Sequence, residues 1–593
     1  MLLGELMAHG TVKPESLVFK KLSRHWPWLV LVLVILVSAG VRWRLRTMPL
    51  ERDEGEYAYA GQLILQGIPP YKLVYNMKLP GTYAAYAVLM AVFGQTAAGI
   101  HVGLIVVNIA SIILVFLLAR KLLDAVAGAA AAVAYGLMSL SPSVMGLQAH
   151  ATHFVVLPAL GGALVLLEAA ESRRWWPLFA SGLLFGLAFV MKQHGALFGV
   201  FGSTYLVWAT IRVEPDPRGK RLYRPGKTPL FQFDWQKCGP AWGLFGLGMA
   251  LPYLLTCGVL VSVGVTRQFF FWTLTYANQY ISAVPLGNAS ELFRYALYFV
   301  AGPNLCIWLL SVLGAVVMWW EPRLERRRFF VVVFFLCSAV SNSIGFYFRP
   351  HYFILLLPAL SLLAGIAVSR GIHVLRQERT LELIPAVITL LLLVAGLGSE
   401  LLTQSSFWFE YAPDKACRQI YGNSLFPEAL RVAEYVRANS TPQANIAVIG
   451  SEPEIYFYAK RHSATGYIYM YPLMEFHAYA LKMQEEMIQE VEKARPEFVV
   501  FVSVSQSWLQ QESSHLRLQN WWAEYGTAHY ELVRTTEINE EKLDETQLTP
   551  AEFGVGLPNP SNPSNPASVE PGTTSQAKSG TISIFKRRES PSR

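Results

Sequence analysis

The sequence predicts a polytopic α-helical membrane protein with a small α/β domain at its C-terminal end, and three observations predict it. Hydrophobic residues make up 53% of the 593 and charged residues only 15%, where a soluble domain carries about 25% charged residues. The apolar residues gather into uncharged runs close to the ~20 residues that cross a bilayer. Past residue 402 the long runs stop, and helix-period and strand-period segments alternate instead. The net charge of +8 sits mainly in short loops between spans, where membrane topology places it, and does not point to a nucleic-acid partner.

About eleven spans can be drawn, near 28–40, 98–118, 125–140, 154–167, 178–190, 196–211, 241–263, 295–319, 329–344, 352–368 and 383–397. Lys13, Lys20, Lys21 and Arg24 precede the first run and no small-residue cleavage pattern follows it, which predicts a retained helix and a cytoplasmic N-terminus. Arg42, Arg44 and Arg46 oppose this locally. The loops after spans two, four, six, eight and ten outweigh them: they hold Arg120-Lys121, Arg173-Arg174, the basic run Arg212 to Lys227, Arg323 to Arg328, and Arg370 to Arg379. With these loops inside, the first long loop, 41–97, and everything after span eleven lie outside.

Residues 1–402 therefore form the membrane domain, 403–550 an exterior domain, and 551–593 a tail whose Pro, Ser, Asn and Gly content predicts disorder. Within the exterior domain, 426–438 reads as an amphipathic helix, 445–450 and 497–504 as β-branched strands, and 474–494 as a charged helix. Residues 581–585 are expected to return as a strand beside 530–534. Residues 80–93 read as an aromatic, half-apolar helix lying in the membrane interface. The five cysteines, Cys238, Cys257, Cys306, Cys337 and Cys417, show no metal-ligand spacing, and a single one in the exterior domain excludes a disulfide framework there.

The chemistry-bearing residues fall in the outer loops. Asp53-Glu54 stands at the exit of the first span, followed by Gly55 and Tyr57. A carboxylate there can act as a general base on an acceptor hydroxyl, and two adjacent carboxylates can instead hold a divalent cation; the bland alternative is a solvated loop charge. Lys78 in the same loop suits a phosphate, against the bland reading of a lysine that snorkels. His150 and His153, then Lys192 and His194, then Arg349, His351 and Tyr352 lie at three further outer mouths. Each alone reads as interfacial polarity. Together they would surround an anionic lipid headgroup with cations and imidazoles.

Arg52-Asp53-Glu54-Gly55-Glu56-Tyr57, then Gly67-Ile68-Pro69-Pro70-Tyr71, then Lys78-Leu79-Pro80-Gly81 resemble, in this order, the first outer loop of the type C (GT-C) membrane glycosyltransferases. The branch is that of the bacterial family 39 and ArnT-like enzymes, related to protein O-mannosyltransferases. His351-Tyr352 followed by Leu356 to Leu360 resembles their late span, and the likeness covers roughly the first 400 residues. It implies a GT-C-like fold in a bacterial inner membrane and inverting transfer of a sugar from a polyprenyl-phosphate donor at the exterior face. The acceptor would be a glycan, lipid or protein. The family's catalytic acid falls on Asp53 with Glu54 as its partner, and its phosphate-contacting lysine on Lys78. Arg349 and His351 are further candidates for contact with the donor phosphate. Tyr57, His150, His153, Lys192, His194 and Tyr352 are the remaining candidates for substrate or metal contact. A second acid expected after span three is replaced by Gln148, His150 and His153, which leaves a divalent cation as an open cofactor. The rival class is a multi-pass transporter or flippase of lipid-linked sugars, which should place ionisable groups at mid-membrane and show repeated halves. Spans two, three, four, seven and ten have apolar centres, and no clear repeat is visible.

Overall fold

The structure is a computed structural model that describes residues 14–172, 176–210, 212–213, 231–232, 235–282, 284–325, 327–376, 383–422, 425–537 and 580–588. Most of the basic loop 212–227 and the region 538–579 lie outside the described residues.

Every expected span is helical, although the lengths differ from expectation. The helices of the first half are α1 (Pro14–Arg44), α2 (Arg52–Leu65), α3 (Gly81–Phe93), α4 (Ala97–Leu122), α5 (Ala125–Met138), α6 (Ala151–Ser172), α7 (Trp176–Met191), α8 (Ala196–Thr210) and α9 (Trp235–Ser262). Their starts follow from local chemistry. Thr96 accepts from the Gly99 N–H at 3.0 Å and Asp124 from the Ala127 N–H at 2.9 Å, so each satisfies a donor that the first turn leaves free.

Among the described residues, seven helices are long and apolar enough to cross a membrane, or eight if one bent pair counts as a span. The bent pair corrects the eighth expected span. Leu286–Ala301 and Leu305–Trp320 meet at 111°, because the run is interrupted at Gly302-Pro303. Helices α5, α7 and α8, at 14, 16 and 15 residues, are shorter than a full crossing. The tenth expected span also starts later, at Leu357, since Pro350–Leu355 coils as a 3₁₀ segment. Small residues permit close crossings in the bundle: a Cβ added at Gly365 would lie 2.5 Å from the Ala127 carbonyl oxygen of the Ala-rich α5.

At one end of the bundle the loops expected to share a side do meet. Arg323 pairs with Asp124 at 2.7 Å and with Glu321, and Arg327 donates to the Leu122 carbonyl at 3.1 Å. At the other end lie the 41–97 segment and the C-terminal domain.

The 41–97 segment is a packed layer and not an open loop. It contains α2 and α3, and α3 buries Thr82, Tyr83, Tyr86, Ala87 and Met90 while Val88 and Val92 stay exposed. The C-terminal domain closes over this layer. Its sheet has strands β1 (Asn445–Ile449), β2 (His462–Ser463), β3 (Phe498–Ser503), β4 (Tyr530–Glu537) and β5 (Thr581–Arg587), in the spatial order β2-β1-β3-β5-β4. Strand β1 runs parallel to β2 and β3, while β5 is antiparallel to both β3 and β4. The expected pairing of 581–585 with 530–534 is present (Leu532 opposite Phe585). The tail boundary at 551 is corrected by the second pairing. Because β5 also lies against β3, residues 580–588 are an interior strand of the domain, with Ile582 and Ile584 fully buried.

One apolar cluster joins the two layers: Tyr59, Tyr83 and Tyr86 pack with Ile446, Val448, Ile455, Tyr456 and Val500. Hydrogen bonds fix the register. The Ser463 N–H donates to the Tyr59 hydroxyl at 2.7 Å, the Leu50 N–H to Tyr458 at 2.9 Å, and the Tyr75 N–H to the Gly466 carbonyl at 2.7 Å.

The first residue of α3 is held to glycine, because a Cβ at Gly81 would stand 2.3 Å from the Val190 carbonyl oxygen at the end of α7. Gly81→Ala is expected to destabilise the membrane domain by about 1–3 kcal/mol through overpacking. The check is thermal unfolding in detergent, where an unchanged midpoint would contradict this packing.

Candidate active site

The site grows from the start of α2. Glu51 accepts from the Glu54 N–H at 2.9 Å, and Glu54 accepts in return from the Glu51 N–H at 3.3 Å. This reciprocal cap is built from two carboxylates at the positive end of the helix, a position that favours negative charge. Helical geometry then parts the three acids that follow. Asp53 and Glu56, three residues apart, share one face. Glu54 turns to another.

Asp53 and Glu56 grip Lys78. Its ammonium donates to Asp53 Oδ1 at 2.8 Å and to Glu56 Oε2 at 2.7 Å, and it lies 4.5 Å over the ring of Tyr57. Burial would lower the Lys78 pKa, but the two carboxylates outweigh it and hold the group firmly charged. Burial likewise pushes Asp53 upward, yet Lys78, by charge and by hydrogen bond, draws it well below the ordinary carboxylate range. Glu56, fully buried, also accepts from Asn76 at 2.9 Å and from the Tyr83 hydroxyl. Glu56 was absent from the sequence-based site. Reading 41–97 as a loop hid the i, i+3 spacing that identifies it.

Glu54 does not share the Asp53 face. Its Oε1 accepts from the Ala149 N–H at 2.6 Å and faces His101 Nε2 at 3.0 Å, and its side chain is wholly buried. Burial raises its pKa, and His101 with the Ala149 N–H more than offsets this. The geometry therefore corrects the expected partnership: Glu54 fixes the chain just before His150, whereas the second carboxylate beside Asp53's partner Lys78 is Glu56.

Opposite Asp53 stand His150 and His351, their rings stacked at 4.3 Å and 14°. Asp53, His150 and His351 each offer a ligand atom, and these atoms lie within 4.8 Å of one another. His150 Nδ1 is 3.6 Å from Glu51 Oε1, and neither ring nitrogen of His150 has a hydrogen-bond partner. Burial lowers the His150 pKa to about 4, against the pull of Asp53 and Glu54, and puts His351 well below its usual value. Both rings are thus neutral near pH 7 and keep a free lone pair.

Lys192 and Arg349 flank this centre. The Lys192 ammonium lies 4.1 Å over the Tyr352 ring, and Arg349 stacks 5.5 Å from Tyr347. Among the described residues neither has a carboxylate within ion-pair distance. Burial lowers the Lys192 pKa to about 7, opposed by Asp53. Gln193 ties this corner to the Lys78 loop by donating to the Met77 carbonyl at 2.7 Å. His194 packs edge-on against Tyr352 at 4.9 Å, and both its ring nitrogens are buried without partners. His153, the third residue of α6, is buried with a likewise unpartnered Nε2 and does not join the Asp53, His150 and His351 group.

Residues 78–215 match the model of the dolichyl-phosphate-mannose-protein mannosyltransferase family, a stretch that begins at Lys78. Among solved structures, the chain is similar to ArnT from Cupriavidus metallidurans bound to undecaprenyl phosphate, at 15% identity and a TM-score of 0.51, over 86% of this chain and 96% of that one. The fold is that of a type C glycosyltransferase. An oligosaccharyltransferase, AglB from Archaeoglobus fulgidus in complex with an inhibitory peptide and a dolichol-phosphate, aligns at 14% identity and a TM-score of 0.49, over 82% of this chain and 70% of that one. No curated protein matches the sequence.

The C-terminal domain also makes a joint with the 271–276 segment. Glu475 of the C-terminal domain accepts from the Tyr276 hydroxyl at 2.7 Å, and His477 packs against the same ring. Burial raises the Glu475 pKa to about 7. A carboxyl whose folded pKa exceeds its unfolded value of about 4.3 favours the closed joint at low pH and opposes it increasingly as pH rises through 7. Hydrogen exchange of residues 471–479 is expected to quicken between pH 6 and pH 8 beyond the intrinsic rate change. Glu475→Gln is expected to abolish that excess.

Proposed function

We propose that the protein is an integral-membrane inverting glycosyltransferase. It moves a sugar from a polyprenyl-phosphate donor to an acceptor hydroxyl at the exterior, periplasmic face of a bacterial inner membrane. The observation that carries this reading is the convergence on one partly exposed carboxylate, Asp53, of a bridged Lys78, two cations without carboxylate partners and two neutral imidazoles. The family match that starts at Lys78 and the undecaprenyl phosphate bound by the similar ArnT structure support it.

In this reading the donor phosphate enters between Lys78, Lys192 and Arg349, with His351 nearby, while its polyprenyl tail runs down a groove between spans among membrane lipids. Lys78 still has one N–H to offer beyond the two given to Asp53 and Glu56. Asp53 takes the proton of the acceptor hydroxyl. The acceptor oxygen bonds to the anomeric carbon from the face opposite the phosphate, the carbon–oxygen bond to phosphate breaks, and polyprenyl phosphate departs with that electron pair. An Asp53 held this far below neutrality is a weak base. Phosphate at Lys78 shares the lysine charge with Asp53 and raises the proton affinity of the carboxylate when the donor is in place. Glu54 acts as a positioning residue for the 149–150 chain. Tyr57 and Tyr352 serve as aromatic beds for Lys78 and Lys192.

The residues also fit a divalent cation. Asp53, His150 and His351 form a three-ligand set of carboxylate and neutral imidazole with unshared ring nitrogens, the donor chemistry of an open zinc-type site. A cation bound there would supply Lewis-acid polarisation of a substrate oxygen.

Asp53→Asn leaves Lys78 paired with Glu56 alone; it is expected to insert with a lowered melting midpoint and to lose about 10²–10⁴-fold in transfer rate. The check is the accumulation of an unconsumed polyprenyl-phosphate sugar, by mass spectrometry, in a deletion strain carrying the variant; full transfer would sink the assignment. Equilibrium dialysis against zinc is expected to load one equivalent on the parent protein and none on the His150→Ala, His351→Ala double variant. Equal loading of both would place the cation elsewhere.

A further inference from the structure

The C-terminal domain touches the proposed catalytic carboxylate itself. Tyr469, which is buried, brings its hydroxyl to 2.9 Å from the Arg52 carbonyl and 3.3 Å from Asp53 Oδ1, the same oxygen that receives Lys78. The segment carrying it is pinned to the end of β1, where the Met470 N–H donates to Ser451 Oγ at 2.9 Å. The end of β1 is in turn latched to α2. Arg52 donates to the Ser451 carbonyl at 2.5 Å and to Glu452 at 3.2 Å, and stacks on Tyr471 and Phe426. Independently, α2 is shaped to receive this edge: a Cβ on Gly55 would stand 2.6 Å from the backbone nitrogen of Glu454. The carboxyl edge of a parallel pair of strands, where α/β sheets commonly bind ligands, is thus applied to the helix that bears Asp53.

We infer that the C-terminal domain is a working part of the catalytic centre, with Tyr469 as the positioning residue that holds the Asp53 carboxylate against Lys78 and aims its free oxygen at the acceptor. Asp53 lies at the first turn of a helix whose cap is made of carboxylates, so its side chain needs a fixed donor from above to keep one rotamer. The Arg52–Glu452 latch and the bare face of Gly55 keep that donor in reach. This inference rests on the glycosyltransferase reading for its catalytic consequence, though not for its geometric one.

The test uses the full chain in nanodiscs and reads the geometry first. Asp53 is modified with a carbodiimide and glycine ethyl ester and quantified by mass spectrometry, with the exposed Glu168 as reference. Tyr469→Phe keeps the ring and loses only the hydroxyl, whose single hydrogen is shared between the Arg52 carbonyl and Asp53, and is expected to raise Asp53 labelling about 3- to 10-fold, the range for losing one ordinary hydrogen bond. Gly55→Ala, which moves the whole edge, is expected to do the same. Unchanged labelling in Tyr469→Phe overturns the inference even if Gly55→Ala fails to fold. Turnover is then followed with synthetic polyprenyl-phosphate mannose. Tyr469→Phe is expected to lower kcat about 3- to 10-fold, to leave KM for the donor within about twofold, and to shift the acid limb of the pH profile. A parent-like kcat and pH profile overturns the catalytic role. No turnover by the parent enzyme counts against the glycosyltransferase reading with this sugar, and the labelling still decides the role of Tyr469.

Discussion

The arrangement depends on one constraint: an ammonium placed where water is scarce must be neutralised. Lys78 satisfies it with two carboxylates, one of them wholly buried. Breaking such a pair from one side costs about 3–5 kcal/mol, since it strands the remaining charges. The requirement propagates outward. It fixes which face of α2 looks at the 71–80 turn, and so which face receives the C-terminal domain and which receives His101 and Ala149. The Tyr71 hydroxyl, donating to the Lys78 carbonyl at 2.7 Å, and Gly81 against Val190 hold the lysine loop to the bundle from below. The C-terminal sheet closes it from above.

The two sets of cations differ in a way that suits the proposed chemistry. Lys78 is paired before any substrate arrives, so it organises the carboxylates and cannot act as a simple phosphate trap. Lys192 and Arg349 rest on aromatic rings, which stabilise a cation without consuming its hydrogen bonds. In the proposed reading an incoming phosphate would meet donors that, among the described residues, hold no carboxylate at ion-pair distance. Lys192, with its pKa near 7, lacks full charge until an anion is present. The cost of holding unpaired charge in the empty site is reduced accordingly, and the attraction appears where the phosphate appears.

Much of this was legible in the sequence, and the failures have physical causes. The spans were visible because hydropathy is a local property. Their number was not, because α5, α7 and α8 sit among other helices and need not cross alone. Asp53 and Lys78 stood out as charges in an apolar chain, as did the imidazole and cationic mouths at His150, Lys192 and Arg349. Glu56 was missed because its meaning depends on α2 being a helix, and the start of α2 is capped by Glu51 and Glu54 instead of the usual serine or threonine. Glu54 was misplaced for the same reason, since neighbouring carboxylates on a helix point about 100° apart. Strand β5 was readable as a strand, while its insertion between β3 and β4 across residues 538–579 was not, because β pairing at that separation is a tertiary choice.

Tyr469 marks the limit of local reading most clearly. It lies 416 residues from the carboxylate it touches, in a segment with no motif. What exposes it is a chain of steric facts: Gly55 has no side chain, so Glu454 can approach; Glu454 follows Glu452, which holds Arg52; and Arg52 adjoins Asp53. The contact couples the two layers: whatever shifts the β1 edge also shifts Asp53. The latch that transmits the shift is the partly exposed Arg52 paired to the buried Glu452.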